Sequence, residues 1–115
     1  MSYFKTGEFK CPCCDKVKVS GWLIHLLNKV RTGLGKPMIV NSGYRCKKHN
    51  KKVGGKENSA HRRGTAADIK CTNSQERYLL VQLALLSGFK RVGIDGDFIH
   101  LDVDEELPQR VFWIY

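Results

Sequence analysis

Two stretches of this chain concentrate groups that could hold a metal and move protons. The first is Ser59-Ala60-His61-Arg62-Arg63-Gly64-Thr65-Ala66-Ala67-Asp68, and the second is Asp95-Gly96-Asp97-Phe98-Ile99-His100-Leu101-Asp102. They carry two of the four histidines, with carboxylates close to each. Neutral imidazole nitrogen and carboxylate oxygen are ligands of catalytic zinc, which takes three protein ligands and leaves one position open for water. His61, Asp68 and His100 form a set of that kind. Such a zinc makes hydroxide available near neutral pH and polarises a scissile carbonyl. Spacing alone leaves a plainer reading open. A histidine before a basic pair is also a surface-loop residue, and an Asp closing Thr-Ala-Ala-Asp is also a solvated strand end. The seven-residue step from His61 to Asp68 matches no short metal motif.

A wider order of residues bears on that choice. Ser42-Gly43-Tyr44-Arg45 is followed by Asn50 and Val53-Gly54-Gly55, then by Ser59-x-His61-x-x-Gly64-x-Ala66-x-Asp68, then by Phe98-Ile99-His100-x-Asp102. The ordered set resembles the zinc D-alanyl-D-alanine carboxypeptidase and endolysin family, the small LAS-type peptidases that cut peptidoglycan stem peptides. The resemblance runs from the first helix to Trp113. It implies a Hedgehog-like fold, zinc on His61, Asp68 and His100, and an acid three residues before the second histidine as general base. That acid is Asp97, with Asp95 as runner-up. Arg45 is implied to serve the tetrahedral intermediate or a substrate carboxylate, and its planar fork suits either task. Asp102 reads as the group that holds an imidazole or Arg45 in place. Ser59 is a candidate to hydrogen-bond substrate or orient its loop, and Tyr44 to line the cleft or pack.

The expected activity is hydrolysis of peptide bonds in bacterial peptidoglycan, as carboxypeptidase or endopeptidase, by an enzyme similar to phage or prophage lysis proteins. The alternative is a zinc-holding binding module of the same fold without turnover, because fold does not fix function. The residues do not say which bond is cut.

Composition sets bounds on these readings. The chain has 115 residues, enough for one domain with one core. Hydrophobic residues make up 42% and charged residues 27%, as in ordinary soluble domains. Lys and Arg number 20 against 11 acids, a net charge of +9 that favours an anionic partner such as a cell wall. Nucleic acid would rest on charge alone and is not expected. No apolar run approaches the ~20 residues of a membrane span. The opening Met-Ser-Tyr-Phe-Lys-Thr-Gly-Glu has no apolar segment of the signal-peptide kind. The expectation is a monomer made in the cytoplasm without a signal peptide that acts at the cell wall by another route.

Five cysteines without a signal peptide argue against a full disulfide framework. Cys11-x-x-Cys14 with Cys46-x-x-His49 has the ligand types and spacing of a structural zinc site. Buried free thiols or a disulfide are the other readings.

The elements that must position these groups follow from pattern. Residues 1–19 read as an irregular arm anchored by Phe4 and Phe9. Ser20 caps a helix whose apolar face is Trp22, Leu23, Leu26, Leu27 and Val30, with Gly33 and Gly35 stopping it. His25 on that helix reads as a packing or surface residue. Met38-Ile39-Val40 reads as a buried strand, Lys47 to Val53 as a helical turn, and Gly54-Gly55 as the start of the loop to His61. Thr65 to Cys71 reads as a strand. Ser74 caps a second helix with a broad stripe of Leu79, Leu80, Val81, Leu83, Leu85 and Leu86, ended by Gly88. Arg91–Ile94 and Phe98–Val103 form a hairpin around Asp95-Gly96-Asp97. Alternation puts His100 and Asp102 on one face of the last strand and Ile99, Leu101 and Val103 on the other. The tail places Trp113 against the core. The resulting fold class is α+β, a small, mainly antiparallel sheet with two main helices packed beside it.

Overall fold

The computed structural model describes residues 2–115. The fold is α+β: a five-stranded, mostly antiparallel sheet with two long helices against one face.

Helix α1 spans Gly21–Leu34. The Ser20 hydroxyl accepts from the Leu23 N–H at 3.3 Å, satisfying one of the unpaired donors at a helix start. The helix runs through Gly33 and closes at Gly35, which takes the left-handed conformation with φ 73°. Gly33 therefore does not stop the helix. It lies under Leu83 of the second long helix, where a side chain would collide. Leu23, Leu26, Leu27, Val30 and Leu34 are buried, each contributing about 1.5–3 kcal/mol by leaving water. Trp22 is exposed and stacks on His25, so it is not part of the apolar face expected of it. The 3-10 turn Thr6–Phe9 punctuates an otherwise irregular arm, and Phe4 and Phe9 are buried as its anchors.

Strand β1 is Val40–Ser42, two residues later than the Met38–Val40 run predicts. Met38 is buried while Ile39 is exposed, because β1 is an edge strand whose register breaks between Val40 and Ser42. The short helix α2 spans Lys47–Lys52. Strand β2 is Ala66–Lys70. Helix α3 is Ser74–Ser87, capped by Asn73 rather than Ser74: the Asn73 amide oxygen accepts from the Glu76 N–H at 2.8 Å. Of its leucine-rich stripe, Leu80 faces the core with Ala84, while Leu79, Leu85 and Leu86 are exposed. The six apolar positions span a wider arc than the roughly 100° that one sheet face can cover.

Strands β3 (Arg91–Ile94) and β4 (Phe98–Asp102) form the expected hairpin. The Asp95 carboxylate accepts from the Asp97 N–H at 3.0 Å, which closes the turn. Strand β5, Val111–Ile114, was expected only as a packed tail and instead pairs parallel to β3. The sheet order is β1-β2-β4-β3-β5. Directly opposite residues share a face, so the register sorts the sheet. Ala67, Ile69, Ile99, Leu101 and Val92 join the helices in the core. Asp68, His100, Asp102, Gly93 and Trp113 occupy the other face. Among the described residues no helix is long and apolar enough to cross a membrane.

Candidate metal centre

Asp68 and His100 sit directly opposite each other in β2 and the central strand β4. The third group arrives from outside the sheet, on the 3-10 turn Ala60–Arg63. The Ser59 hydroxyl caps that turn, accepting from the His61 N–H at 3.2 Å, and Gly64 ends it at φ 72°. The turn is tied down on two sides. Arg45 N–H donates to the His61 carbonyl at 3.1 Å, and Ser20 N–H donates to the Gly64 carbonyl at 2.8 Å.

The ring nitrogens of the two histidines have distinct surroundings. His61 Nδ1 lies 2.7 Å from the Gly43 carbonyl oxygen. A carbonyl only accepts, so Nδ1 carries the proton and a neutral ring has its lone pair on Nε2. His100 Nε2 lies 2.6 Å from Asp102 Oδ2, which likewise only accepts when ionised. When that ring is neutral, the lone pair of His100 is on Nδ1. Both lone pairs face one atom: Asp68 Oδ1 lies 3.3 Å from His61 Nε2 and 2.9 Å from His100 Nδ1. Three electron-rich atoms converging in a buried site repel unless a cation or protons lie among them. Zinc bonds of about 2.0–2.1 Å in a tetrahedron put neighbouring ligand atoms roughly 3.4 Å apart, close to the separations seen. The set fits a metal of the zinc kind, and all three residues are buried.

Charge at the site is balanced by neighbours. Burial pushes the Asp68 carboxyl up, but the His100 and His61 rings outweigh it and hold the group well below the usual carboxylate range. Burial lowers His100, yet Asp102 and Asp68 together raise it. Arg45 Nη2 donates to Asp68 Oδ2 at 3.2 Å, and Arg45 Nε donates to Ser42 Oγ at 3.1 Å. Arg45 thus holds the carboxylate oxygen that the histidines do not face.

A protein-family model described as Peptidase M15 matches residues 3–102. The chain belongs to the Peptidase M15 family. The matched span contains all three converging donors, Arg45 and Asp102. A search of the curated proteins finds no match to this chain.

The other residues singled out from the M15 sequence fall in several places. Asp102 touches His100 as expected, but its second partner is Arg91, not Arg45: Arg91 Nε donates to Asp102 Oδ1 at 2.8 Å. Asp97 and Asp95 lie in the β3–β4 turn, and Asp97 is exposed with a carboxylate that pairs with no described residue. Three positions along a strand would aim Asp97 away from His100, but Asp97 lies in the bend before β4, where alternation does not apply. Tyr44 is half-buried, and its N–H donates to the Phe9 carbonyl at 2.8 Å. His25 stays on the surface of α1 against Trp22. Cys11, Cys14 and Cys46 come together, whereas the His49 ring lies outside that cluster.

Three supporting roles escaped the sequence reading, which expected Trp113 against the core rather than on the site's face. Gly43 aims His61 through its carbonyl. Arg91 holds Asp102 and lies 5.0 Å over the Trp113 ring. Trp113 packs on His100 at 5.2 Å between centroids, across Gly93. Only glycine fits at that position, since a Cβ there would lie 2.5 Å from the indole. The Gly within Arg-Val-Gly-Ile was the available signal, because glycine inside a strand marks close approach.

Proposed function

We propose that this M15 chain is a zinc-dependent peptidase that hydrolyses peptide bonds of bacterial peptidoglycan. The observation that carries the reading is the convergence of His61 Nε2 and His100 Nδ1 on Asp68 Oδ1. The ordered motif similarity to wall peptidases supports the substrate class, and the net charge of +9 suits an anionic wall. His61, Asp68 and His100 would hold the metal. When bound, zinc supplies Lewis acidity toward a scissile carbonyl and makes hydroxide accessible near neutral pH.

The chain's own groups divide the remaining work. Gly43 and Asp102 fix the two imidazoles in the tautomers that present lone pairs inward. Arg45 keeps Asp68 oriented, and its remaining N–H donors are available to a developing oxyanion or a substrate carboxylate. Asp97 is the proposed general base: its carboxylate takes a proton from the attacking water and returns it to the leaving amine nitrogen. Its place three residues before His100 and its uncommitted carboxylate support that role. Ser59 serves by capping the turn that carries His61.

Purified wall peptides provide the test. Incubation with the protein should yield new amino and carboxyl termini that mass analysis assigns to one bond type, separating carboxypeptidase from endopeptidase products. Absence of any zinc-dependent cleavage would leave a zinc-holding module without turnover.

A further inference from the structure

We propose that Cys11, Cys14 and Cys46 hold a zinc ion of their own, which clamps the N-terminal arm to the segment carrying Gly43 and Arg45. The three sulfurs lie within 4.8 Å of one another, and all five cysteines are free. Zinc–sulfur bonds of about 2.3 Å in a tetrahedron separate neighbouring sulfurs by roughly 3.8 Å, so the cluster needs little adjustment. A disulfide would join two of these sulfurs and leave the third beside it.

The backbone around the sulfurs is arranged for anionic thiolates. The Cys46 N–H donates to Cys11 Sγ at 3.5 Å. Cys46 Sγ accepts from the His49 N–H at 3.4 Å at the start of α2. The turn over residues 11–16, which carries the first two sulfurs, is tight. Cys11 and Lys16 are hydrogen-bonded across it, and Asp15 adopts φ 59°, a strained conformation for a residue with a side chain. Structural zinc is four-coordinate. The fourth ligand falls to the His49 ring or the Cys13 thiol, both outside the three-sulfur cluster, one of which turns inward on binding. Each thiol gives up its proton to solvent as its sulfur binds.

The clamp has something to hold. The arm has little regular structure, yet its Phe9 backbone packs so closely on Gly43 that a Cβ there would lie 2.6 Å away. Phe9 also accepts the Tyr44 N–H. Cys11 lies two residues after Phe9 and Cys46 three after Gly43, so one ion would fix both ends of this contact. The site lies apart from the His61 centre and does not depend on peptidase activity.

Zinc per chain in the full-length protein, measured after removal of loose metal, tests the assignment. Wild type should hold about two ions, and Cys14→Ser and Cys46→Ser about one each. His61→Ala should also hold about one, retained by the cysteines. Replacement of zinc by cobalt in the wild type and in His61→Ala should give intense sulfur-to-metal charge-transfer absorption, a readout that needs no cysteine variant to fold. Cysteine variants that keep the full metal content would overturn the proposal. So would cobalt-loaded protein without that absorption, or thiols in the metal-loaded protein that all react as freely as in the stripped one. Failure of the His61 centre would show separately, as equal zinc in wild type and His61→Ala.

Discussion

His100 Nε2 and Asp102 Oδ2 are 2.6 Å apart and both residues are buried, with Asp102 held from its other oxygen by Arg91. The carboxylate therefore fixes which nitrogen of His100 carries the proton. Asp102→Asn replaces an acceptor with a group that can also donate, and so permits the tautomer whose lone pair faces outward. Zinc affinity at the His61 centre should fall by about 10- to 100-fold. Competition with a chelator of known strength, read on the His61 centre, measures it; unchanged affinity would show that Asp102 does not set the tautomer.

Arg45→Ala should leave the fold and the bound metal in place. Arg45 contacts Asp68 from the side away from both histidines, so its loss uncovers one oxygen without removing a ligand. Turnover of wall peptide should drop by roughly a hundredfold or more, the usual worth of one oxyanion donor. A fall in kcat with KM little changed assigns Arg45 to the transition state; a rise in KM alone assigns it to a substrate carboxylate. Wild-type values for both would confine Arg45 to supporting Asp68.

Asp97→Asn should retain metal and fold but hydrolyse wall peptide ~10² to 10⁴ times more slowly, because an amide cannot accept a proton and return it. Asp95→Asn is the matched control two residues away. Its carboxylate closes the turn through the Asp97 N–H, so its effect should be on local stability rather than on turnover. The reverse pattern of activities would transfer the base to Asp95.

Asp104 binds the 3-10 turn to the end of β4. It accepts from Arg63 Nε, from the Thr65 hydroxyl at 2.8 Å and from the Glu106 N–H at 2.9 Å. Burial raises its carboxyl, but these donors outweigh burial and hold it below the usual range. A depressed folded-state pKa stabilises fully above the unfolded value of about 4, and the contribution is lost as pH falls through the folded value. Asp104→Asn should therefore cost about 1–3 kcal/mol near neutral pH, reduced by the partial exposure of Arg63, and flatten the acid limb of stability. Denaturant melts at several pH values read both effects. Parallel curves for the two proteins would contradict the assignment.

The parts of this fold set by local pattern were legible in the sequence: both long helices, the β3–β4 hairpin, and the alternation that puts His100 and Asp102 on one face. Errors arose where a distant partner decides. Trp22 has helical spacing for the core, but the neighbouring elements take up only the side of α1 bearing Leu23, Leu26 and Leu27. Gly33 reads as a stop until Leu83 is seen lying over it. The strand at 111–114 depends on parallel pairing with β3, which no short-range signal encodes. At the candidate metal centre, the donor types and their order were visible, whereas their aim was not. It rests on the Gly43 carbonyl and Arg91, which meet the site only through tertiary packing.

The central claim is that His61 Nε2, His100 Nδ1 and Asp68 jointly hold zinc. Anomalous diffraction at the zinc absorption edge, from crystals of the zinc-loaded protein, tests it most directly. The account predicts a strong peak at about 2.0–2.2 Å from both of those nitrogens and from a carboxylate oxygen of Asp68. The centre would be refuted by crystals of zinc-loaded protein with no peak among these three residues, or with zinc bound at His61 Nδ1 or His100 Nε2 instead.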